Sequence, residues 1–409
     1  MQRQSWWSTR QPAAVRISLL LGLAGYLCTA CASKTLLEQR TERGTATTGD
    51  LVVGVAWPFS AHPDILLKEG LQMAVAAVNA SGGVRGRRLR LRLEDDHESV
   101  DSGRMVADRL THDPTVVAVI GHLQSYVTLP AAPIYDEAGV ILLTPTSTAL
   151  ELTNHAYRYV FRGTFDDHAV GQKMAEYAAA QGFRRVAIYY MRGTYGRDIA
   201  NAFEERAAQD GIVIAERQAY GESGNATARA FRATFDSWRT DDIDALFVAG
   251  EVPAAGVLIA EARAAGLKVP VIGVDAMSSR GLMASAGGAS EGTVVPAPFH
   301  PDEPRDAVRR FVTAFRARYR VAPDAGSALG YDGVWVLANA MRRAGSTAPD
   351  AISAALHSAV AWEGATGKFS FDTTGGLRDR PMIKLVVRKG EFEYLIDRTP
   401  GVRVAQARR

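Results

Sequence analysis

The chain has 409 residues, 47% of them hydrophobic and 22% charged, which is long enough for two domains with buried cores. Its formal charge is +3, but residues 1 to 31 hold Arg3, Arg10 and Arg16 and no acid. Setting those three aside leaves 44 basic residues against 44 acidic ones, and a neutral remainder excludes nucleic acid as the main partner. Both cysteines, Cys28 and Cys31, fall in the same opening segment, so the rest of the chain has no internal disulfide and needs none at its size.

The first element is an export signal: a basic start followed by an apolar run from Ile17 to Leu27. That run is too short to span a bilayer, which takes roughly 20 apolar residues. Ala30-Cys31 at its end resembles the lipobox of bacterial lipoproteins, in which the cysteine is acylated, although Cys28 stands where an aliphatic residue is usual. Lipidation at Cys31 is expected, with plain signal cleavage as the alternative. Residues 32 to 49, polar and rich in Thr, Glu and Arg, are expected to be a flexible tether.

The short apolar run LVVGV (Leu51 to Val55) suits a buried strand of a parallel sheet. Leu67, Leu71, Ala74, Val75 and Val78 then recur at helical spacing up to Gly82-Gly83, a helix-ending signal. In RRLRLRLED, Leu89, Leu91 and Leu93 alternate with Arg88, Arg90 and Arg92, which predicts a strand near the sheet's edge with the arginines on a solvated face. A helix around Met105 to Leu110 follows, then the strands VVAVI (Val116 to Ile120) and VILLT (Val140 to Thr144). Four such alternations imply a doubly wound α/β sheet with right-handed crossovers. After the turn-rich FRGTFDD (Phe161 to Asp167) the pattern restarts, with strands at Val186 to Tyr190, Ile212 to Ala215, Ala245 to Val248 and Val269 to Ile272. Two αβ halves of similar build suggest two lobes with a cleft between them.

Polar groups gather at the strand ends. Ser125 follows the first strand of the GHLQSYVTLPAAPIYDEAGVILLTPTST stretch, and Thr146 and Thr148 follow the second. Turns after parallel strands share one edge, so these hydroxyls could converge on one small ligand; as bland alternatives they cap helices. In the second half Tyr195, Glu251 and Asp275 follow strands, and Trp57 follows the first strand as a candidate cleft aromatic. Hydroxyls and backbone N–H groups on one side with carboxylates and a phenol on the other match the two ends of a zwitterion. His122 lies near Ser125, but there is no GxSxG elbow, HExxH, Walker loop or paired CxxC, so no catalysis, metal or cofactor is expected.

The stretch from Gly121 to Thr153, together with VNASGGVRGRRLRLRLEDD (Val78 to Asp96), ALGYDGVWVLANAM (Ala328 to Met341) and TGKFSFDTTGGL (Thr366 to Leu377), resembles the leucine/isoleucine/valine-binding proteins, the branched-chain amino-acid receptors of ABC importers. The resemblance covers most of residues 50 to 397. It implies a type I periplasmic binding fold, two αβ lobes joined by three crossovers near Asp166, Pro298 and Asp379. One lobe would comprise 50–166 with 298–379 and the other 167–297 with 380–397, leaving 398–409 as a tail. Ser125, Thr146 and Thr148 would hold the ligand's α-carboxylate and part of its amino group, Tyr195 would line the pocket, and Asp275 would pair with the α-ammonium.

Two positions depart from that pattern. Glu251 stands where the family has a tyrosine, and Gln124 replaces a cysteine. A carboxylate is costly to bury against an aliphatic side chain, so Glu251 faces water or meets a second polar or cationic group of the ligand. The expected function is an exported, lipid-anchored, monomeric receptor that binds an amino acid by lobe closure and presents it to an ABC permease in the inner membrane. The alternatives are an amide-type sensor domain, or an importer receptor for urea, short amides or aromatic acids.

Overall fold

The computed structural model describes residues 34–221, 242–358 and 360–396, together with positions 231, 234, 235 and 238. Cys28, Cys31, the leader and the 398–409 tail lie outside the described residues.

Apolar runs without a polar face form the strands of the first sheet, because each is covered on both sides. β1 (Leu51–Trp57), β2 (Leu89–Asp95), β3 (Val116–Gly121), β4 (Ile141–Thr144) and β5 (Val160–Arg162) lie in the order β2-β1-β3-β4-β5, all parallel. Alternate residues of β1 and β3 feed two apolar clusters. Val53, Val55 and Ile120 meet Leu67, Leu71 and Phe161 on one face, and Ala56 and Val119 meet Val106 and Leu110 on the other. Strands buried on both faces, each followed by a helix, are the physical content of a doubly wound unit. As its alternation predicted, β2 is an edge strand, with Arg90 paired to Asp50 and Arg92 bridging Glu94 and Asp113.

The second sheet runs β15-β14-β10-β9-β8-β6-β7. Its parallel strands are β6 (Arg185–Met191), β7 (Val213–Tyr220), β8 (Ala245–Ala249), β9 (Val271–Ile272) and β10 (Val294–Ala297), around one apolar cluster that includes Val186, Phe203, Phe247 and Leu258. The chain then returns to the first unit. Helices Asp306–Tyr319 and Ala325–Ala344 pack there, the second of them close against helix Leu67–Ala80. A β-carbon on Gly70 would lie 1.9 Å from the Ser327 carbonyl oxygen, so that backbone contact requires glycine. A small antiparallel sheet of β11 (Trp362–Gly364), β12 (Gly367–Phe371) and β13 (Leu377–Arg378) follows. The antiparallel strands β14 (Ile383–Arg388) and β15 (Glu391–Leu395) finish the second sheet.

One expectation is overturned. Residues 32 to 49 were expected to be a flexible tether, yet Leu36–Arg43 is a helix docked on the first unit. Thr35 and Glu38 form a capping box, two orphan donors satisfied reciprocally. Arg40 is 4% exposed and donates to the carbonyls of Thr111, Asp113, Val116 and Ala138 at 2.6 to 3.2 Å. A polar composition concealed one arginine whose shortest hydrogen bonds lie on distant backbone.

Candidate ligand site

The first half of the site is built where β3 and β4 end on the same sheet edge. β3 leads through Gln124 into helix Ser125–Glu137, and β4 leads into the turn with Thr146, Ser147 and Thr148. The Ser125 hydroxyl accepts the backbone N–H groups of Thr148 at 3.2 Å and Ala149 at 3.4 Å. Thr146 donates its hydroxyl to the Leu123 carbonyl at 2.8 Å. These hydroxyls therefore do not cap their own helices; Gln124 occupies the cap position and makes no capping bond with its side chain. They join one loop to the other and leave the start of helix Ser125–Glu137 as a source of N–H groups and positive dipole for an anion.

Beneath these loops His122 is fully buried, with Nδ1 2.6 Å from the Asp96 carboxyl and Nε2 3.3 Å from the Tyr135 hydroxyl. Its carbonyl accepts the hydroxyls of Thr144 and Ser147 at 3.4 and 3.3 Å. With both ring nitrogens engaged, His122 supports the loops and has no free nitrogen to act as a base toward Ser125.

The second half comes from the ends of β6, β8 and β9. Tyr195, in the first turn of helix Thr194–Gln209, donates its hydroxyl to the Asp275 carboxylate at 2.9 Å and accepts the Ala276 N–H at 3.4 Å. Burial pushes the Asp275 carboxyl above its ordinary range, and the Tyr195 hydrogen bond opposes that rise. The Tyr195 phenol is itself pushed up by burial and by the charges of Asp275, Asp167 and Glu251. Glu251 follows β8, and a β-carbon on Gly250 would lie 1.6 Å from the Tyr220 hydroxyl, so bare backbone there lets the loop carrying Glu251 pass that ring. The Glu251 carboxyl is pushed up to about 7, by burial first and then by Glu98 and Asp275, against an opposing contribution from His62.

Asp167 was not singled out from the sequence. It opens helix Asp167–Ala180, is 2% exposed, and its carboxyl is pushed up to about 8 by burial, with Asp275, Asp198 and Asp166 adding to the effect. Its backbone N–H bonds the Thr148 carbonyl at 3.1 Å and the Thr148 side chain bonds its carboxyl, yet Oδ1 is buried with no partner among the described residues. Glu98 was missed as well. It lies beyond β2 and accepts Gln124 Nε2 at 2.7 Å, with His62 Nε2 3.2 Å away, while its charge bears on both Glu251 and Tyr126. In the sequence Asp167 is one of a turn doublet and Glu98 one of the acids in EDDHES; only the structure shows what each faces.

Ser125, Thr146, Thr148, Tyr195, Asp275 and Glu251 are thus gathered around one place, joined by Asp167 and Glu98. Trp57 is the exception. Its ring is 1% exposed and packs in the apolar cluster under the first sheet, because β1 extends through it in register with Asp95. Two cavities of about 310 and 300 Å³ lie elsewhere, one beside Trp362 and Phe371 and the other beside Arg40, Arg87 and Thr347; neither contains any of the converging groups.

The site thus sets hydroxyl-bearing loops and a helix start from one parallel sheet against carboxyls from a second. Residues 51–391 match the model of the family described as periplasmic binding protein, and the chain belongs to that family, one of solute-binding receptors. Its fold is the type I periplasmic binding fold. A leucine-, isoleucine-, valine-, threonine- and alanine-binding protein of Pseudomonas aeruginosa is 29% identical over 328 residues, spanning 80% of this chain and 85% of that one. An ABC transporter substrate-binding protein of Desulfitobacterium hafniense, solved in complex with Leu, superposes with a TM-score of 0.78 at 34% identity, covering 85% of this chain and all of its own. The branched-chain amino acid transporter substrate-binding protein of Streptococcus pneumoniae, solved with isoleucine, gives a TM-score of 0.75 at 25% identity, over 84% of this chain and 98% of its own.

Proposed function

We propose that this chain is the extracytoplasmic receptor of an ABC importer and captures an α-amino acid. The observation that carries this reading is the pairing, in one site, of the Ser125/Thr146/Thr148 loops with the Tyr195–Asp275 couple. The start of helix Ser125–Glu137 takes the α-carboxylate. Asp275, fixed by Tyr195, takes the α-ammonium, with Asp167 beside it. Residues 50–166 with 298–379 act as one lobe and 167–297 with 380–397 as the other, and closure over the solute strengthens these contacts by excluding water. The closed form is what the permease recognises. Cys31 carries the lipid that holds the receptor at the membrane, and the receptor works as a monomer. The solutes named for the relatives above place amino acids first, ahead of amides, urea or aromatic acids.

The test is a thermal-shift series on the mature chain against amino acids, short amides, urea and aromatic acids, since binding raises Tm by mass action. A shift with α-amino acids alone is expected. No shift with any of them would overturn the reading. Separately, Cys31→Ser should move the protein from the membrane fraction to the soluble one, and unchanged partitioning would remove Cys31 as the anchor.

A further inference from the structure

The two positions at which the chain departs from the branched-chain pattern, Gln124 and Glu251, prove to be near each other. Gln124 donates to Glu98 at 2.7 Å, and Glu98 is the carboxylate whose charge acts most strongly on Glu251. Each comes from a different sheet, Glu98 beyond β2 and Glu251 beyond β8, so the pair faces across the site. The nearby groups are Tyr126, 50% exposed, and His62, whose Nε2 is already 3.2 Å from Glu98. The Glu251 carboxyl itself has no ion-pair partner among the described residues.

Charge counting then distinguishes solutes. Asp167, Asp275, Glu251 and Glu98 bring four carboxyls to one region; among the described residues Arg162, bonded to Asp166, bears on Asp167, and His62 is the basic side chain acting on Glu98 and Glu251. Asp167 is 2% exposed, and its Oδ1 is buried beside Thr148 with no partner, which independently calls for a donor from outside the chain. A leucine zwitterion brings one ammonium, used up at Asp275 and Asp167, and would place an aliphatic group against Glu251. Burying a carboxylate without a partner costs far more than a methyl contact returns.

We propose that the solute is a basic α-amino acid whose second cationic group, an ammonium or guanidinium on the side chain, is held between Glu251 and Glu98. This rests on the amino-acid reading above and names the class within it. Gln124 keeps Glu98 turned toward that group, and Tyr126 forms the apolar wall along which the side-chain methylenes lie.

The experiment is titration calorimetry of the mature protein with L-ornithine, L-lysine, L-arginine, L-leucine and L-norleucine, the last matching lysine's stem without its charge. At least one basic amino acid should bind about tenfold or more tighter than norleucine, as a desolvated charge pair predicts. The ratio of the two affinities should fall toward one in both Glu251→Gln and Glu98→Gln, with ligand-free Tm confirming that each variant is folded. Leucine or norleucine binding as tightly as every basic amino acid would overturn the proposal and leave the amino-acid reading intact, as would a ratio unmoved in both variants. If none of the five binds while another α-amino acid raises Tm, this inference falls and the amino-acid reading stands; if no α-amino acid binds, both fall.

Discussion

The two halves of the site differ in how completely the protein satisfies its own polar groups. At the Ser125/Thr146 end each hydroxyl already has a backbone partner within the loops, and the His122 network beneath is closed by Asp96 and Tyr135. At the Asp167/Glu251/Asp275 end Tyr195 satisfies part of one carboxylate and Thr148 part of another, while Asp167 and Glu251 are each raised by burial and by Asp275. A polar group buried without a partner is costly, so on the proposed reading the first half is organised before the solute arrives and the second is completed by it. Preorganisation fixes what all amino acids share; the unsatisfied half is where discrimination is available.

The largest expected effect comes from removing the carboxylate that Tyr195 orients. Asp275→Ala should weaken binding of any α-amino acid by about 100-fold or more, as truncation of one member of a buried charge pair costs roughly 2 to 5 kcal/mol. Calorimetry on the folded variant measures it. Affinity within threefold of the parent would mean that the ammonium is held elsewhere, and the contrast between the two halves would lose its basis.

A second effect follows from the raised carboxyls, and its sign differs between the free and bound protein. In the free protein Asp167 is raised from 3.8 to about 8 and Glu251 from 4.5 to about 7. The folded state therefore holds more protons than the unfolded state between about pH 4 and 8, and ligand-free stability should fall as pH rises through that window. A bound cation favours the ionised carboxyls, so affinity should rise over pH 6 to 8 with release of protons. The groups facing Asp167 are Asp275, Asp198, Asp166, Arg162, Tyr195 and the Thr148 side chain; those facing Glu251 are Glu98, Asp275, Tyr126, Tyr195, Tyr220 and His62. Calorimetry in buffers of differing ionisation enthalpy counts the protons, and Asp167→Asn should reduce the count. An affinity flat with pH, with no proton released, would show that these carboxyls are already ionised and paired.

Legibility from sequence follows the same division. The parallel strands and the helices after them were readable because their apolar spacing is set by burial along one local period. Ser125, Thr146 and Thr148 were readable as a group because turns after parallel strands share an edge. Asp275 and Tyr195 were placed through the family resemblance, and their mutual bond spans 80 positions, which no local pattern encodes. Asp167 and Glu98 were hidden for a related reason: an acid that opens a helix or ends a turn has a local explanation, so nothing flags its second role. Trp57 failed in the opposite direction, since a strand-end aromatic can turn into the core as readily as out of it. The Leu36–Arg43 helix was missed because composition stood in for pattern; its Thr35/Glu38 box, the buried Arg40 and the packing of Leu36 and Leu37 show that a polar segment can dock through a few side chains.

The smallest effect tests the satisfied half. In Ser125→Ala the N–H groups of Thr148 and Ala149 lose an acceptor near the rim of the site, at a cost of about 1 kcal/mol. For a chain of this size that lowers Tm by roughly 1 to 2 °C. Amino-acid binding should weaken too, and by a similar factor for leucine and lysine, because Ser125 serves the backbone end that both share. The same substitution strategy applied across the site should give the reverse pattern. Asp167→Asn replaces a raised carboxyl by a neutral amide of the same shape, so ligand-free Tm at pH 8 should hold or rise while affinity falls. If Ser125→Ala left Tm unchanged and separated leucine from lysine, the hydroxyl end would be choosing the solute. The division of labour between the halves would then have to be reversed.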